Sequence, residues 1–121
     1  MTLDDFRSRM NSFWASANRE ADELKDPIRA LERLSGLYRT LDVTEREFAD
    51  RVLAEWVLSD EEAKRFDAVA MIREFEVASA APELRELIGR LARSDDPGAP
   101  FEREKVEVLL RDLGVNGATG T

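Results

Sequence analysis

Arg65-Phe66-Asp67-Ala68-Val69-Ala70-Met71-Ile72 and, after a short joint, Ala81-Pro82-Glu83-Leu84-Arg85-Glu86-Leu87-Ile88 are the stretches that decide the fold class. In the second, Leu84, Leu87, Ile88 and Leu91 recur at threes and fours, the spacing of one helix face. Pro82 suits a first helical turn, where a missing N–H costs nothing. In the first, Ala63, Phe66, Ala68, Val69, Met71, Ile72 and Phe75 make the segment apolar around much of its circumference, so we expect a central helix covered on two sides. Ser59-Asp60-Glu61-Glu62 just upstream reads as a capping box that starts it.

Working outward, Ser94-Asp95-Asp96-Pro97-Gly98-Ala99-Pro100 is a loop. The last helix is expected from about Phe101 to Leu113, with Val106, Leu109, Leu110 and Leu113 on one face and Gly114 as its stop. Toward the N-terminus, Thr44-Glu45-Arg46-Glu47 reads as another capping box, opening a helix that carries Phe48, Ala49, Val52, Leu53, Trp56 and Val57. Asp26-Pro27 opens a helix with Ile28, Leu31, Leu34, Leu37, Tyr38 and Leu41 on one side. Gly36 sits inside it at a cost of roughly 1 kcal/mol relative to Ala, which close packing against a neighbour would explain. Thr2 is expected to cap the first helix, whose stripe runs Leu3, Phe6, Met10, Phe13, Ala17, Ala21, Leu24. The expectation is therefore six helices and no strands. They form one all-helical domain over residues 1–113, with a frayed tail over 114–121.

The chain also repeats itself. Ala49, Val52, Leu53, Trp56, Ser59 and Asp60 match Leu84, Leu87, Ile88, Leu91, Ser94 and Asp95, each pair 35 positions apart. Arg65, Ala68, Met71, Ile72, Arg73 and Phe75 match Arg103, Val106, Leu109, Leu110, Arg111 and Leu113, each pair 38 apart. Two helices per unit at this period is the mark of an α-solenoid. Residues of about 27–113 resemble HEAT repeats, with 65–72 as a first helix, 81–88 as a second, and the Asp95/Asp96 turn leading to Arg103 in the next unit. The match departs at Glu76, where such repeats often carry Gly. The resemblance implies a short α-solenoid of HEAT-like helix pairs with an extra N-terminal helix, binding a partner on its concave face.

Composition narrows the function classes. The chain has 121 residues, 43% hydrophobic and 36% charged, enough for a core without staples. It has no Cys and no His, which excludes disulfides, thiolate zinc sites and His-based triads. That composition fits a reducing, cytoplasmic setting. The acidic start from Met1 to Asp5 has no leader character, and no window is apolar enough to span a membrane. Eighteen basic against 26 acidic residues give a net charge of −8, which repels nucleic acid and suits a basic protein partner.

Two sets of residues are candidates for chemistry. Glu20-x-x-Glu23 and Glu47-x-x-Asp50 each place two carboxylates on one helix face, a donor set suited to Mg²⁺. Their spacing resembles that of MazG-like nucleoside triphosphate pyrophosphatases, a resemblance that implies magnesium held against nucleotide phosphates. Exposed helical carboxylates paired with Arg are the commoner explanation. The second set is for partner binding: Trp14, and the acids Asp42, Glu45, Asp60, Glu61 and Glu62 near helix starts. For Trp14, core packing and interface anchoring are near even; for the acids, capping is the commoner role. The expectation is a non-catalytic, cofactor-free binding module, such as an immunity protein against a basic bacterial toxin. Competing expectations are the pyrophosphatase and a homodimer formed through the Leu3–Leu24 stripe.

Overall fold

The computed structural model describes residues 1–114; the expected frayed tail beyond Gly114 lies outside the described residues. Six α-helices and one short 3₁₀ turn make up the described chain, which contains no strand. Its contacts group into two compact units, Met1–Val52 and Leu53–Thr121. No helix is long and apolar enough to cross a membrane among the described residues.

In unit 1, α1 (Leu3–Leu24) starts at a reciprocal capping box. The Asp5 N–H donates to the Thr2 hydroxyl at 3.1 Å and the Thr2 N–H donates to the Asp5 carboxylate at 3.2 Å. The helix ends at Lys25, whose backbone is left-handed with φ 53. Next, α2 (Arg29–Arg39) begins two residues beyond Pro27, with the Asp26 carboxylate accepting from the Ile28 N–H. The two helices pack together. Ala17, Ala21 and Ala30 form a buried seam with Phe13 packed on it, and residues this small let helix backbones approach closely. Phe6 meets Phe48 with ring centroids 6.0 Å apart. Gly36, for which close packing was expected, is exposed and has open space where a Cβ would stand.

Helix α3 (Val43–Val57) contributes to both units, since the division falls between Val52 and Leu53. Its capping box is Asp42 with Glu45, two residues upstream of the expected Thr44–Glu47 pair. Asp caps better than Thr, and its carboxylate accepts the Glu45 N–H at 2.8 Å.

In unit 2, α4 (Glu62–Phe75) lacks the expected Ser59 capping box. The Ser59 hydroxyl instead accepts from the Glu61 N–H two residues on, a local turn that competes with capping. Nor is α4 covered on two sides: Ala68, Met71 and Ile72 are buried, whereas Ala63 and Phe66 are exposed. Small side chains on the outer face had raised its apparent hydrophobicity. The helix ends at Glu76, left-handed at φ 52, before the buried Val77 and the Ala78–Ala80 turn. Then α5 (Ala81–Ala92) carries Pro82 in its first turn and packs against α6 (Ala99–Asp112). Helix α6 starts two residues before the expected Phe101, because Ala99 is buried and Pro100 fits the first turn.

Helices α4 and α6 run in the same direction. Arg65 near the start of α4 grips Glu102 near the start of α6 at 2.8 and 3.0 Å. Arg73 near the end of α4 lies 3.6 Å from Asp112 at the end of α6. The paired residues are 37 and 39 positions apart, on either side of the 38-residue offset read from the sequence.

Candidate protein-docking surface

Of the four carboxylates of the magnesium expectation, all in unit 1, Glu20 and Asp50 are held by different partners. Glu20 accepts from Arg29 Nε at 2.8 Å and from Arg33 at 3.0 Å, and the Arg29 hydrogen bond holds its carboxyl below the ordinary value. Asp50 is half-buried and accepts from the Tyr38 hydroxyl at 2.8 Å. Burial raises the Asp50 carboxyl. Burial first, then the bond to Asp50, pushes the Tyr38 hydroxyl up to about 12. Glu23 and Glu47 are exposed. Among the described residues, no group of three or more acids gathers in a way that could hold a metal ion, so the set does not fit Mg²⁺.

Of the partner-binding candidates, Trp14 is buried, 8% exposed, and so is a core residue rather than a surface anchor. The Leu3–Leu24 stripe is largely covered by the chain itself: Phe6, Met10, Ala17 and Ala21 are buried and only its end, Leu24, is well exposed. Asp42 and Glu45 are committed to each other's backbone in the α3 cap. Asp60, Glu61 and Glu62 are exposed at the start of α4. There Lys64 approaches Glu61 at 3.7 Å and rests over the buried Trp56 ring at 5.6 Å.

Beside this acidic start, unit 2 has a cavity of about 180 Å³ lined by Leu58, Asp60, Arg65, Leu87, Arg90 and Ser94, among others. Its cations serve the chain. Arg65 donates to the Ser59 and Asp60 carbonyls at 3.0 and 3.3 Å, and Arg90 donates to the Leu58 carbonyl at 3.3 Å. They close the C-terminal end of α3, where orphan carbonyls and the negative end of the helix dipole gather.

The feature that sequence reading missed is an aromatic ridge along α4 and α6. Phe66 is 60% and Phe101 71% exposed. Lys105, one turn beyond Phe101, reaches over the Phe66 ring at 5.9 Å. Helical phase carries the signal. Ala99 stands seven residues before the buried Val106, two full turns, whereas Phe101 stands five before it and so off the buried stripe. Phe66 stands two residues before the buried Ala68, which is likewise out of phase.

Charge divides unevenly too. Unit 1 has eleven acidic and nine basic residues, unit 2 fifteen and nine. Within unit 2, α4 and α6 together hold seven acids and six bases, so the surplus lies elsewhere: eight acids against three bases. That surplus sits at Glu55 and Glu76, at Asp60 and Glu61 just before α4, and in the Asp95/Asp96 loop, while α5 is balanced, with Glu83 and Glu86 against Arg85 and Arg90. No family model matches the chain, and no match was found among curated proteins or solved structures.

Proposed function

We propose that this chain is a non-catalytic, HEAT-like helical module that binds a basic protein. The acid surplus of unit 2 outside α4 and α6, eight acids against three bases, carries the reading. A surface of one sign steers an oppositely charged partner and suppresses like-charged ones. The parallel run of α4 and α6, with α5 joining them in the chain, supports the helical-repeat part of the reading, because paired residues fall within one position of the repeat offset. A role that suits this build is stoichiometric inhibition of a basic protein, as an immunity protein does for a cationic nuclease toxin.

The test is capture from host lysate on the immobilised chain across a salt series, beside a variant with Asp60→Asn, Glu61→Gln and Glu62→Gln. The expected result is a basic protein that the wild type retains at low salt, sheds at high salt and loses in the variant. Retention indifferent to both salt and neutralisation would overturn the reading.

A further inference from the structure

We propose that the α4/α6 ridge is a self-association surface, and that its occupant is the same ridge of a second copy of this chain. This surface is separate from the acidic one assigned above to a basic partner. Two well-exposed phenylalanines on neighbouring helices, one of them with Lys105 of the other helix over its ring, form the kind of aromatic anchor that marks an interface core.

Charge selects the occupant. Apart from the buried Asp67, α4 and α6 carry six acids (Glu62, Glu74, Glu102, Glu104, Glu107, Asp112) and six bases (Lys64, Arg65, Arg73, Arg103, Lys105, Arg111). Three ion pairs already join these groups: Arg65 with Glu102, Arg73 with Asp112, and, more loosely at 3.8 Å, Arg103 with Glu107. The rest of the chain holds nineteen acids against twelve bases. A basic protein therefore gains nothing from this ridge. Two copies of a chain carrying −8 repel one another over their acidic surfaces but meet a balanced surface here. A two-fold arrangement that sets Phe66 of one copy against Phe101 of the other makes each contact twice, as a closed dimer requires.

Sedimentation velocity of the full chain, from low to high micromolar concentration and at two salt concentrations, tests this. The expected result is a reversible dimer that strengthens with salt as self-repulsion is screened, the opposite of the basic-partner response. Phe66→Ser and Phe101→Ser each weaken it about tenfold, the factor that 1.4 kcal/mol sets at an anchor residue. Both positions are exposed, so the variants retain wild-type helical circular dichroism. Asp60→Asn with Glu61→Gln, which leaves Glu62 of the ridge in place, weakens basic-partner capture and leaves the dimer intact. A chain monomeric at every concentration, or a dimer that survives the double phenylalanine substitution, overturns the proposal. Loss of a captured heterologous partner in the phenylalanine variants of a monomeric chain would reassign the ridge to that partner.

Discussion

In unit 1 the seam between α1 and α2 is lined by Ala17, Ala21 and Ala30, whereas in unit 2 the α5–α6 pair buries Leu84, Leu87, Val106, Leu109 and Leu110. The edge ties differ in the same sense. Glu20 holds Arg29 and Arg33 at an open edge, while Arg65 and Glu102 form a two-pronged pair with side chains only 16 and 21% exposed. The α1–α2 seam therefore relies on close backbone approach, although unit 1 buries Phe6, Met10, Trp14 and Leu34 elsewhere, and the α5–α6 pair relies on the transfer of large side chains out of water. The first should be intolerant of added volume and the second of lost volume.

Truncating the large core should have the largest effect. Leu84 is fully buried, and Leu84→Ala is expected to cost about 2–5 kcal/mol in urea denaturation. Overfilling the small seam comes next: Ala21→Leu is expected to cost about 1–3 kcal/mol. A neutral result there would mean the seam has room, and the contrast between the units would collapse.

A smaller effect is shared by both units. Lys25 and Glu76 each end a helix in the left-handed region, at φ 53 and φ 52. That region favours glycine. Glu76→Gly and Lys25→Gly are each expected to raise stability by about 0.5–1 kcal/mol, read as a rise in melting temperature. In the sequence reading, Glu76 is where the resemblance to HEAT repeats departs from Gly, and its left-handed backbone gives that residue a physical cost.

The smallest effects divide unit 1 internally and have opposite pH signs. The Asp50 carboxyl is raised by burial, so its contribution is fully present below the ordinary value of 3.8 and is lost as pH rises through its folded value. The Glu20 carboxyl is lowered by Arg29, so its contribution is present above 4.5 and is lost as pH falls through its folded value. Asp50→Asn keeps an acceptor for Tyr38 and should gain on the wild type as pH rises from acid to neutral. Glu20→Gln should lose ground over the same climb. Denaturation curves across that range check both, and parallel profiles would contradict the assigned environments. Tyr38 adds an alkaline limb, its contribution lost as pH rises from 10.0 toward about 12.

The helical class was legible because turn residues and apolar spacing agree along the chain: Pro82, the loop after Ser94 and Gly114 mark real boundaries, although α6 takes up the last two loop residues, Ala99 and Pro100. Caps were less legible, since Asp42 and Thr44 both suit a helix start and only geometry shows which one accepts the N–H. Buried alanines such as Ala30, Ala54 and Ala99 were missed because a methyl group carries little hydropathy signal. Phe66 misled for the opposite reason: its size argued for the core while its phase argued for the surface. The carboxylate pairs had the right spacing within each helix, but spacing cannot reveal that Glu20 is taken by arginines and Asp50 by a tyrosine.

The Arg65–Glu102 pair also bears on how fast the chain folds. Its partners lie 37 positions apart, so the contact forms only after a long loop has closed and after the local α5–α6 hairpin can dock. If a contact of this separation is absent from the rate-limiting barrier, its loss falls on the unfolding rate. Arg65→Met should leave the refolding limb of a chevron plot nearly unmoved and raise the unfolding limb. By that account the pair acts as a latch on the finished structure, setting the lifetime of the folded chain rather than the speed of its assembly.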